Sequence, residues 1–136
     1  MYLVYKPEGN DEPQRWRFDP KKLMSAEREA LEKRTGKDYQ DFIQGVIKGN
    51  SLCRRALLHM YLKRDHPGVR YEDVDFAWGE LDFEHSRQEL EEIRKTIAES
   101  ASPEQRDVIL AKLDEEIATA IDDLETEGKA GLPIVG

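Results

Sequence analysis

The run Ser51-Leu52-Cys53-Arg54-Arg55-Ala56-Leu57-Leu58-His59-Met60-Tyr61-Leu62-Lys63-Arg64-Asp65 decides the fold class. Its apolar residues (Leu52, Ala56, Leu57, Leu58, Met60, Tyr61 and Leu62) spread too widely around a helix for a single stripe. A helix that is apolar over so much of its circumference is surrounded by other elements. Asn50 or Ser51 opens it, and Pro67-Gly68 stops it. The stretch therefore predicts a central core helix with Leu57, Leu58 and Leu62 inside, and Cys53 among its core-facing residues.

Upstream, Asp38 is placed to cap a helix in which Tyr39, Phe42, Ile43, Val46 and Ile47 fall on one face, with Gly49 ending it. Ser25 is placed to cap another that runs to about Arg34, turning Leu23, Ala30 and Leu31 inward before Gly36. Further back, Tyr2-Leu3-Val4-Tyr5 and Arg15-Trp16-Arg17-Phe18 are rich in strand formers, and the turn-forming residues 6–13 separate them. They read as a small β-hairpin or irregular arm. Trp16 and Phe18 alternate with arginines, so they share one face and belong to the core.

Downstream, Val69 to Phe83 reads as a short helical turn and an irregular packed segment. A helix follows from Glu84 to Ser100, with Leu90, Ile93 and Ile97 as its stripe. Ser102-Pro103-Glu104-Gln105 carries the signature of a helix start, with a capping box from Ser102 to Gln105. That helix is expected to reach about Thr126, with Leu110, Leu113, Ile117, Ile121 and Leu124 in line and Gly128 past its end. With a break near Ala101, the two form an αα-hairpin. Both stripes have the width of a coiled-coil seam. Either the helices satisfy each other, or the seam Leu113, Ile117, Ile121 and Leu124 is kept for a partner helix. The predicted class is mainly α: a helical domain with short strands over 1–83, an acidic αα-hairpin over 84–126, and a flexible tail over 127–136.

Charge is unevenly placed. Charged residues make up 37% of the 136 residues and the net charge is -8, well above the usual charged fraction. Residues 82–136 hold 15 acidic and 6 basic side chains, whereas residues 1–81 hold 14 and 15. An acidic half disfavours nucleic acid and anionic lipid and suits basic or polar protein surfaces. Cys53 is the sole cysteine, so an internal disulfide is impossible and a reducing compartment is expected. Met-Tyr-Leu-Val-Tyr lacks the basic start of a signal peptide, and no apolar run approaches the roughly 20 residues of a membrane helix. A cytoplasmic protein is the expectation.

Residue patterns for catalysis are thin. His59 and His66 lack the i,i+4 spacing of paired metal ligands, and Cys53 to His59 is also wrong for one face. Glu72, Asp73 and Asp75 are the one suggestive carboxylate group. A calcium loop needs an oxygen ligand at Ala77 and a glycine at Trp78, so Asp73 and Asp75 read as capping or turn residues. Phosphate-loop, nucleophile-elbow and zinc patterns are missing. Neither an enzyme nor a cofactor is expected. The pair of helices around Gly49-Asn50-Ser51 raises a helix-turn-helix, with Arg55, His59 and Lys63 as an exposed lane. The near-neutral N-terminal half argues against DNA binding.

The order of residues over about 14–83 resembles the tail assembly chaperones of long-tailed bacteriophages. The resemblance rests on Trp16-Arg17-Phe18, Leu23, Glu29-Ala30-Leu31-Glu32-Lys33-Arg34-Thr35-Gly36, Tyr39, Phe42-Ile43 and Ala56-Leu57-Leu58. It continues through Leu62-Lys63-Arg64-Asp65-His66-Pro67 and Tyr71-Glu72-Asp73-Val74-Asp75-Phe76. No single piece is a catalytic signature; the series in this order carries the likeness. It implies a protein made in the host cytoplasm and absent from the mature virion. Such a protein binds the helical tape measure protein and keeps it soluble until tail tube subunits displace it. It further implies a longer frameshifted product that recruits the tail tube protein, and Glu127-Gly128-Lys129 is compatible with slippage at that point. Self-association is left open. The rival readings are a structural tail or connector protein retained in the particle and a helix-turn-helix regulator.

Overall fold

A computed structural model of the chain describes residues 1–123. The fold is mainly helical, with a small antiparallel sheet, as the sequence predicts. In chain order the elements are β1 (Tyr2–Tyr5), β2 (Gln14–Arg17), α1 (Ser25–Thr35), α2 (Tyr39–Lys48) and α3 (Ser51–Asp65). Two single 3-10 turns follow, at Tyr71–Asp73 and Trp78–Glu80, then β3 (Leu81–Glu84), α4 (Arg87–Ser100) and α5 (Pro103–Thr119). They form two compact units. One joins Met1–Phe18 to the chain from Leu81 on, and the other is Asp19–Glu80. The sequence division at 83/84 thus falls inside a strand, because β3 pairs with β1.

In the first unit the sheet order is β2-β1-β3, both pairings antiparallel, with Leu3 opposite Trp16 on one side and Phe83 on the other. The central strand is β1, and its Tyr2, Leu3 and Val4 are buried. Trp16, expected in the core, sits on the edge strand and is only half-buried, whereas Phe18 is buried and its ring lies 5.8 Å from Phe83. β3 replaces the irregular segment expected there.

The hairpin of α4 and α5 completes this unit. Ser86 caps α4 with a full capping box, its hydroxyl accepting from the Glu89 N–H while Glu89 accepts from the Ser86 N–H. At α5, Ser102 and Pro103 start the helix as expected, but the Ser102 side chain makes no cap hydrogen bond. α5 stops at Thr119, short of the expected Thr126. The reason is local. Beyond it the Ile121 carbonyl accepts from the Arg87 N–H (2.6 Å), and the Asp123 N–H donates to Gln88 (2.8 Å). The chain leaves the helix to satisfy the start of α4, whose first N–H groups have no partner within their own helix. Leu124 and the segment 127–136 lie outside the described residues.

In the second unit, α1, α2 and α3 pack on one another around α3. Gly36 and Gly49 end α1 and α2 in left-handed conformation, φ 68° and 91°. Asn50 caps α3 by accepting the Cys53 N–H at 3.0 Å. At α1, Ser25 is the first helical residue and Met24 takes the cap position without a side-chain bond. Phe42, Val46, Cys53, Leu57 and Leu58 are fully buried, while Ile43 and Leu62 are half-buried. Ala30, Ile47 and Leu52 were expected to face inward and instead are exposed. α2 and α3 approach closely because Gly45 has no side chain: a Cβ there would stand 2.6 Å from Cys53 Sγ. Burial pushes the Cys53 thiol above its ordinary pKa, with Lys37 opposing weakly, so it is a packed hydrophobe rather than a poised nucleophile.

Candidate protein-binding surfaces

The expected basic lane on α3 is not an exposed row. Arg55 donates to the carbonyls of Val74 and Tyr71, with its guanidinium 4.4 Å from the Tyr71 ring centre. His59 is buried, with Nε2 3.3 Å from the Val69 carbonyl and its ring edge-on to Tyr71. Lys63 alone of the three is exposed. A phosphate backbone would have to dislodge two side chains that hold the 69–74 segment against α3. The carboxylates are likewise local. Asp73 accepts the Arg70 N–H and guanidinium, and that pairing holds its carboxyl below the ordinary range. Asp75 accepts the Phe76 N–H, and Glu72 is exposed.

The predicted partner seam belongs to its own hairpin. Leu113 is buried and Ile117 half-buried where α5 lies on α4, and Ile121, past the end of α5, is half-buried as well. Arg94 on α4 reaches Asp114 on α5 at 2.7 Å, fastening the two helices from the outer side. That hydrogen bond holds the Asp114 carboxyl below its ordinary pKa. Leu124 lies beyond the described residues.

Two other features face solvent in the second unit. The first is Trp78, 67% exposed yet fixed in place. The tip of its indole lies against Gly49, where a Cβ would overlap Cη2, and the Arg54 guanidinium stacks 5.0 Å from the ring centre. Arg54 is itself held by a hydrogen bond from Nε to the Val46 carbonyl at 2.9 Å. Ile47 and Leu52, 53% and 41% exposed, flank Gly49 along the chain. Trp78 thus lies against the α2–α3 connection, and Ile47 and Leu52 are exposed hydrophobic residues within three positions of it along the chain. Periodicity alone does not reveal this exposure, since Ile47 and Leu52 fit the apolar pattern of their helices.

The second feature is an open groove of about 680 Å³ between α1 and α3. Its lining combines Ala26, Ala30, Ala56 and Met60 with the cations Lys33, Arg34, Lys63 and Arg64. Arg64 forks onto Glu27 at 2.8 and 3.0 Å, Lys33 pairs with Glu29, and Arg34 stacks on Tyr71.

Among the described residues no group of three or more His, Cys, Asp or Glu is arranged to hold a metal ion, and no helix is long and apolar enough to cross a membrane. No family model, curated protein or solved structure matches the chain.

Proposed function

We propose that the chain is a tail assembly chaperone of a long-tailed bacteriophage. In this reading it binds the tape measure protein by contact alone and keeps it soluble until tail tube subunits take its place. The order of motifs over residues 14–83 is one support. The structural observation that carries the reading is Trp78, exposed yet fixed against Gly49 and Arg54 at the α2–α3 corner, where Ile47 and Leu52 are exposed as well. Exposed apolar clusters on a small protein mark places where other proteins bind. A tryptophan held by backbone and guanidinium contacts offers a large apolar area without an ordering cost on binding, which is how interface anchors act. Release would then follow from competition, as the affinity for the client is matched against tube assembly.

The test is co-expression with the tape measure protein. Trp78→Ala combined with Ile47→Asp leaves the fold intact, since both side chains are largely exposed, and the client moves from the soluble to the insoluble fraction. Undiminished solubilisation by a folded double variant would remove this corner from the binding surface. Mass spectrometry of purified virions is expected to lack the protein; stoichiometric presence there would favour the structural tail protein instead.

A further inference from the structure

We propose that the surface around Trp78 reads charge as well as apolar area. Lys37 and Lys48, in the polar cleft beside it, select client segments that carry carboxylates next to an apolar face. This specificity rests on the chaperone reading and names the chemistry of what that surface binds.

The cleft, about 540 Å³, lies where α2 meets the start of α3, with Lys37, Asp41, Gln44, Lys48 and Asn50 around it. Gly49 joins it to the tryptophan. The same glycine lines the cleft and lies under the tip of the Trp78 indole. An apolar side chain resting on the exposed indole therefore has the cleft beside it. Charge decides what can follow it there. Lys37 and Lys48 have no ion-pair partner among the described residues, and neither has Asp41. Two ammonium groups against one carboxylate leave the cleft cationic. Asn50 is already engaged, its side-chain oxygen accepting the Cys53 N–H at 3.0 Å. Gln44 is exposed and can donate from its amide. The unit around the cleft is not acidic either. Residues 19–80 hold 12 basic and 11 acidic side chains, while the whole chain carries a net charge of -8. A carboxylate placed here gains Coulomb energy from both lysines, and a cation loses it. Such charges decide which partner is accepted more than how tightly it is held. The indole supplies the contact area.

The experiment measures binding of the full chain to two labelled synthetic amphipathic peptides by fluorescence anisotropy. Both have the same leucine face, flanked by glutamates in one and by lysines in the other. At low salt the wild type is expected to prefer the glutamate peptide by about five-fold or more, and to lose the preference as salt rises. Lys37→Glu with Lys48→Glu reverses the preference. Lys21→Glu with Lys22→Glu makes the same change of net charge on exposed lysines outside the cleft and keeps it. Trp78→Ala weakens both peptides alike. Circular dichroism confirms that each variant is folded. Equal affinities in the wild type overturn the proposal. So does a preference that survives Lys37→Glu with Lys48→Glu, or one that the control pair also reverses. Unchanged binding in Trp78→Ala overturns it too, since the lysines would then hold small anions only. Overlapping peptides of the tape measure protein separate the two ways of failing. If they bind without regard to charge, the chaperone reading stands and the charge selection falls. If none binds while the designed pair behaves as expected, the selection stands and the client is another protein.

Discussion

At the scale of single residues, the closest fit in the second unit is between Gly45 and Cys53. A methyl group at position 45 would stand 2.6 Å from Sγ and 3.3 Å from Cβ of Cys53, both inside ordinary contact. Gly45→Ala is therefore expected to destabilise the protein by about 1–3 kcal/mol through overpacking. The gain in helix propensity from Gly to Ala is smaller than that. Cys53→Ala removes the sulfur that causes the clash, so the double variant is expected to be less destabilised than the sum of the singles. Strict additivity in chemical denaturation would show that α2 moves aside freely. Leu57, fully buried in the same helix as Cys53, tests the core itself. Leu57→Ala is expected to cost roughly 2–5 kcal/mol, against a negligible change for the exposed Lys48→Ala. Equal melting temperatures for the two would place the core elsewhere.

Elements differ in how much of them the sequence reveals. α2 and α3 were legible because Gly49 and Asn50 end and begin helices by chemistry that acts locally. β3 was not, although Leu81 and Phe83 alternate with charged residues as a strand should. Four residues following a turn-rich acidic stretch do not form a strand alone; pairing with β1 makes them one. The end of α5 is hidden from the sequence for a similar reason, since its apolar period continues to Leu124 while the backbone of 121–123 is drawn to α4. The exposure of Ile47 and Leu52 was illegible because burial depends on neighbours, not on period.

The hairpin itself invites two measurements. Ile117→Asp with Ile121→Asp puts two charges against α4, and a loss of about 2–4 kcal/mol is expected from burying them half-desolvated. Full stability would mean that the seam is open to a partner after all. The second is a titration of Asp114. Its folded pKa is depressed by Arg94, so the pair adds stability above the ordinary carboxylate pKa and loses it as pH falls through the depressed value. The contribution is small because both groups are exposed. Followed by NMR, the Asp114 carboxyl is expected to titrate below an ordinary aspartate and to return towards it in Arg94→Gln. An identical titration in both proteins would mean that the contact does not persist in solution.

For the whole molecule, the decisive feature is that the first unit is built from both ends of the described chain while the second is one continuous stretch. β1 is the middle strand, so β2 and β3 have no sheet without it. Tyr2 ties the same strand to the segment after α5, since its hydroxyl accepts from Arg17 at 2.7 Å and lies 3.3 Å from Asp123. Removing residues 1–18 therefore takes away more than a terminal arm. It strips the partner of Leu81–Glu84 and uncovers Leu81, whereas every contact of α2 with α3 described here lies within Asp19–Glu80. Hydrogen exchange separates the two outcomes. In the truncated chain, the amides of β3 and of α4 near Ser86 are expected to lose most of their protection, while those of α3 around Leu57 and Leu58 keep theirs. If protection falls equally throughout, the two units unfold as one cooperative body. If β3 stays protected, some element other than β1 holds it.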